Sequence, residues 1–143
     1  MNYPKLQNLL AAFGLLVVLT ACSKSEGTAE PELAVQVSGN YEITTIINGT
    51  TTVQGDLIKA TGGKATVTVS KVSANVAKFT YEVVIPLTGQ NEKGSIDGAL
   101  EKRGDTIFIK NGTADAGSYK DKTLEITTTN PQGQPVKVTA KKL

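Results

Sequence analysis

No histidine occurs anywhere in the 143 residues. This removes the side chain that changes charge near neutral pH, and with it the usual general base and the usual imidazole ligand for a metal. Tryptophan is also missing, and the single cysteine, Cys22, leaves no partner for an internal disulfide. No phosphate-cradling loop of the GxxxxGK type is present; Gly62-Gly63-Lys64 reads as a hairpin turn, not as the opening of a helix. Asp115 to Asp121, "DAGSYKD", lacks the ligand spacing of an EF-hand and reads as a solvated turn. Glu92 and Asp97 are a carboxylate pair expected to face solvent on outward strand positions. The expectation is a protein without catalytic residues, metal or cofactor.

Charge excludes a further class. The first 21 residues contain one charged side chain, Lys5, so the remainder carries 15 − 1 = 14 Lys+Arg against 13 Asp+Glu. A balance this even, with no basic cluster, argues against a nucleic-acid binder. About 110 residues remain after the N-terminal region, enough for one hydrophobic core and too few for two.

Long apolar runs are as scarce as histidine, with one exception. Eleven apolar or glycine residues run from Leu9 to Leu19. A membrane-spanning helix needs about 20, so the run is too short to cross. Preceded by Lys5 and no acid, it has the layout of a cleaved export signal. Leu19-Thr20-Ala21-Cys22 resembles the bacterial lipobox, in which Leu, a small residue and Ala precede the cysteine. The resemblance implies that residues 1–21 are a lipoprotein signal peptide and that Cys22 becomes the acylated first residue of the mature protein. One acyl chain anchors only reversibly, whereas several hold a protein at the bilayer.

The tether follows, residues 22–34. "SKSEGTAEPELA" has no aromatic and too little apolar surface to order itself, and as a flexible coil its 12 residues would reach roughly 20 Å. Ser23 after the lipidated cysteine resembles the sorting signal for the outer membrane. The expected location is therefore the bacterial envelope, on the outer membrane facing the periplasm.

From Val35 onward apolar and polar residues alternate. "YEITTIING", "TTVQGDLIKA", "KATVTVSKV" and "VAKFTYEVVIPL" read as strands, followed by a hairpin turning at Arg103-Gly104 and a last pair joined through Pro131-Gln132-Gly133. Asn48-Gly49 signals a type I′ hairpin. Eight strands with short connections predict an all-β domain over residues 35–143. The expected form is an eight-stranded antiparallel up-and-down barrel, with a two-sheet sandwich as the alternative. Closure also removes exposed strand edges.

"VSGNYEI" resembles the opening of the lipocalins, whose Gly-x-Trp motif seals one end of an eight-stranded barrel. The resemblance covers most of residues 35–143 by strand count and spacing. Tyr41 stands at the Trp position, and Lys141 is the candidate substitute for the family's partner arginine. No helical lid is expected between the first two strands.

The inward positions decide what the domain does. Tyr41, Ile43, Val67, Phe79, Tyr81, Val83, Ile107 and Ile126 are the candidate ligand-binding interior, with Ile47, Leu57 and Ile96 also expected inside. A barrel of this size either fills with side chains or holds one small ligand. Two functions stand: a lipocalin-like carrier of a small hydrophobic ligand or lipid, or a packed domain acting by protein–protein contact as a scaffold or inhibitor. Phe108, expected outward, is the candidate contact for a protein partner. The domain is expected to be a monomer bound to the membrane through Cys22 alone. Asp105-Thr106-Ile107 resembles the Asp-Thr-aliphatic acceptor of O-glycosylation in Bacteroidetes; a chance three-residue match competes with that reading.

Cys22→Ala should move the protein from the membrane to the soluble fraction, read by fractionation and immunoblot; a variant that stays in the membrane pellet refutes the lipid anchor.

Overall fold

The structure, a computed structural model, describes residues 30–130 and 132–143. The expected signal peptide (residues 1–21), Cys22 and most of the expected tether lie outside the described residues. One compact unit runs from Pro31 to Leu143. Its elements are α1 (Leu33–Val37), β1 (Gly39–Asn48), β2 (Thr51–Gln54), α2 (Gly55–Ala60), β3 (Lys64–Ser73), β4 (Val76–Ile85), β5 (Gln90–Arg103), β6 (Thr106–Asn111), β7 (Ala114–Lys120), β8 (Thr123–Thr129) and β9 (Pro135–Lys142).

Every sequential pair from β3 to β9 is antiparallel, β1 pairs with β3, and β1 also pairs with β9. The sheet thus closes on itself as an eight-stranded up-and-down barrel formed by β1 and β3–β9. The sandwich is excluded, because one continuous ladder runs around the ring. β2 is a ninth strand among the described residues. It pairs only with the second half of β1, where β3 no longer reaches.

The count of eight agrees with expectation, but two elements differ. "TTVQGDLIKA" is not one strand: pairing stops at Gln54 and α2 follows. A Cβ at Gly55 would lie 2.0 Å from the Ile43 carbonyl oxygen, so α2 can start against β1 only with glycine there. Asp56 in its first turn and Lys59 in its last suit the helix dipole. One-and-a-half turns are too short for helical periodicity to register in a sequence window. A short helix therefore does lie between the first two barrel strands. Ile58, not Leu57, is its buried apolar side chain, and Leu57 is 64% exposed.

The missing strand is β7, hidden in the segment read as a solvated turn. It joins β8 through Asp121-Lys122, both with positive φ (49° and 63°). This is the backbone of a type I′ turn made without glycine or asparagine, so the usual signal is absent. At the β1–β2 hairpin the loop residues are Gly49-Thr50, and only Gly49 has positive φ. That is the requirement of a type II′ turn rather than the expected I′.

The described chain is ordered earlier than the tether boundary implied. Ala34 and Val37 of α1 are fully buried in the core, and the Ala34 amide donates to the Ala74 carbonyl at 3.0 Å. Leu33 and Ala34 thus belong to the folded unit, because their apolar side chains cover one end of the barrel.

β4 fixes the register of the interior. Ala77 and Phe79 are buried while Lys78 faces water, opposite Asp97 at 3.9 Å. Phe79→Ala should cost about 3–5 kcal/mol in urea unfolding. Lys78→Ala should cost under about 1 kcal/mol, since it removes only an exposed pair. A larger loss for Lys78→Ala would refute this register.

Candidate functional site

The two ends of the barrel are built differently. At the end covered by α1, Tyr41 is fully buried and its hydroxyl donates to the Val37 carbonyl. Tyr119 packs edge-on against it, with ring centroids 6.2 Å apart and an interplanar angle of 85°. Lys142 reaches across the pair, its ammonium 5.9 Å from each ring centroid and donating to the Gln36 carbonyl at 3.1 Å. The cation over Tyr41 is therefore Lys142, not Lys141. Register explains the difference: Lys142 lies opposite Tyr41 and shares its inward face, whereas Lys141 lies opposite Glu42.

The other end is open. A cavity of about 380 Å³ enters the barrel there, near the lower limit for small-molecule sites. Of the predicted interior residues, Ile43, Val67, Phe79, Tyr81, Val83 and Ile126 line it. Tyr41 and Ile107 do not; both are buried in the packed part of the core, at 0% and 3% exposure. The interior is thus divided between a packed part and a hollow part.

A bulge sets part of that lining. Along β1, Ile43 pairs with Ala140 and Thr45 with Thr139, which leaves Thr44 as an extra residue. The Thr44 hydroxyl donates to the Thr139 carbonyl at 3.1 Å. One extra residue reverses the facing of everything after it. Ile46 and Asn48 consequently line the cavity, and Ile47, expected inside, is 37% exposed. Strict alternation cannot reveal this, since nothing in "EITTIIN" marks the bulge.

Across the cavity, β4 and β5 pair Phe79 with Ile96, Tyr81 with Gly94 and Val83 with Glu92. Gly94 makes room for the phenol: a Cβ there would lie 2.5 Å from the Tyr81 hydroxyl oxygen. Tyr81 is 38% exposed although it points inward, as an open mouth requires. Glu92 shares the inward face with Val83 and lines the cavity, contrary to the expectation that it faces solvent. Asp97 does lie on the outer face, so the two carboxylates do not form a pair.

The rim is polar. Asn130 donates from its side-chain amide to the Asn48 Oδ1 at 2.9 Å, and its own Oδ1 accepts from the backbone of Gln132 and Gln134 at 3.0 and 2.8 Å. This ties the β8–β9 turn to the end of β1. On the outer wall Phe108 is half-buried and covered by Arg103, whose guanidinium carbon lies 4.5 Å from the ring centroid. Arg103 also holds Asp115 at 3.1 Å, so Asp115 belongs to a strand-surface ion network, not a free turn. Hydrogen bonds from Lys110 and Arg103 keep the Asp115 carboxyl below its ordinary range. Thr106 is half-buried at the start of β6. Among the described residues no group of three His, Cys, Asp or Glu side chains is placed to hold a metal.

These features define a closed β-barrel with one sealed end and one open apolar cavity. The chain matches no known family model, no curated protein and no solved structure.

Burial, reinforced by Tyr119, holds the Tyr41 phenol well above its ordinary range. The folded state keeps that proton at pH values where the unfolded chain loses it. Its stabilising contribution is therefore complete below about pH 10 and is lost as pH rises further. Tyr41→Phe should cost about 1–2 kcal/mol at neutral pH, since the Val37 carbonyl loses its donor. The gap between wild type and variant in urea midpoint should shrink by about pH 11. A gap that widens there would refute the buried neutral phenol.

Proposed function

We propose that this protein is an envelope lipoprotein, anchored through Cys22, whose barrel binds a small hydrophobic ligand or lipid without chemical turnover. The observation that carries the reading is the open cavity, apolar at depth and ringed by Asn48, Asn130 and Gln132 at the mouth. An apolar pocket with a few polar groups at one end suits a ligand of the same polarity. Export and acylation rest on the lipobox resemblance, and the outer membrane facing the periplasm on Ser23. A monomer is the simplest reading, because β1–β9 pairing closes the ring and leaves only the four-residue β2 outside it. The likeness to lipocalins gains support from Gly39-x-Tyr41 with Lys142 laid over the ring. The alternative, a filled domain working through an exposed aromatic contact, is less well supported: the interior holds a cavity and Phe108 is covered by Arg103.

Val83→Phe tests the cavity. The larger side chain fills space at the mouth and should weaken binding of the neutral dye Nile red at least about tenfold, a loss of about 1.4 kcal/mol. The measurement is dye fluorescence with the full chain in phosphatidylcholine vesicles, corrected with vesicles alone. Unchanged binding by a variant that keeps its unfolding midpoint would refute the pocket.

A further inference from the structure

The cavity has one lining side chain with a formal charge at neutral pH, and it is negative. Glu92 points into the mouth because it stands opposite Val83 on the inward face of β5. None of the ion pairs among the described residues includes it. The cations on nearby strands are on the outer wall and already engaged: Lys64 with Glu82 at 2.6 Å, Lys78 with Asp97 at 3.9 Å and Lys137 with Glu125 at 3.0 Å. Lys93, next in sequence, pairs in register with outward Glu82.

The neutral groups at the rim do not offset this charge. Asn130 uses its side-chain amide donors within the rim itself, on Asn48 Oδ1 at 2.9 Å and Gln134 Oε1 at 3.2 Å. A carboxylate or phosphate head entering the mouth would meet a like charge and no cation. An ammonium head would find the unpaired carboxylate as its counter-ion, while its hydrocarbon part occupied the space beside Phe79, Ile96 and Ile126. Like charges close together repel, and opposite charges attract most where water is partly excluded.

Resting on the proposal that the cavity binds an apolar ligand, we infer that its occupant is a cationic amphiphile, an alkylammonium rather than a fatty carboxylate, with Glu92 as the specificity-determining residue. Glu92 is solvent-accessible, so the preference is modest and screened by salt.

Displacement of Nile red from the full chain in phosphatidylcholine vesicles, by decylamine, decanol or decanoate, tests this with Glu92→Gln beside the wild type. Partition of each competitor into the vesicles is common to both proteins and cancels in the comparison. Glu92→Gln should weaken displacement by decylamine about threefold to fivefold, strengthen that by decanoate, and leave decanol unchanged. The decylamine difference should also vanish in about 0.5 M salt. Equal effects of the substitution on all three competitors, or none on decylamine, would overturn the charge assignment while decanol displacement upholds the pocket. Failure of all three to displace the dye would overturn the pocket itself and the inference with it.

Discussion

Hydrogen bonding between β1 and β9 joins the first strand of the chain to the last and turns a meander into a ring. Along its length β1 pairs with β9 on one side, and on the other side first with β3 and then with β2. All other pairs in the ring except β1–β3 are hairpins between neighbours in sequence, whose closure costs little. The β1–β9 pair spans almost the whole domain and must be formed against a much longer loop. Once formed, it closes the ring along β1 and β9, while β2, which pairs only with β1, keeps its outer edge.

The same strand divides the interior. Before Thr44, Tyr41 belongs to the packed core and the buried Ile43 borders the cavity; after the bulge, Ile46 and Asn48 face the cavity. The sealed end is consolidated by three groups that need one another. Tyr41 caps a carbonyl of α1, Lys142 caps a second, and Ala34 and Val37 fill the space beneath. With that end anchored, the opposite end can stay hollow without the barrel depending on it. Packed core and cavity thus occupy different ends of one closed sheet.

The chemistry of the cavity lining depends on small differences of register. A strand residue's face is fixed by parity, and Glu92 lies inside only because β5 pairs Glu92 with Val83 and not with Val84. A shift of one residue would exchange it for Lys93 and reverse the charge at the mouth. Gly94 works in the same frame, leaving room for the Tyr81 ring directly across the ladder.

The sequence by itself determined the class of fold. Period-two alternation through Val67, Val69, Phe79 and Ile126 places those side chains on one face, because a pleated strand allows nothing else. Its short connections limited the topology to neighbouring antiparallel strands. Local pattern could not carry what depended on partners distant in the chain. β7 turns on Asp121-Lys122 in a left-handed conformation that no glycine announces, and α2 is shorter than a helical period can show. The bulge at Thr44 exists only in relation to β9, 95 residues away. Tertiary structure alone decided that Tyr41 and Ile107 lie in packed core and not in the site. It also decided that Lys142 rather than Lys141 covers the ring, and that Glu92 faces the cavity. For Lys142 and Glu92 the cause is pairing register, which a strand's own residues do not encode; Tyr41 and Ile107 face inward as alternation requires but lie in the packed part of the barrel.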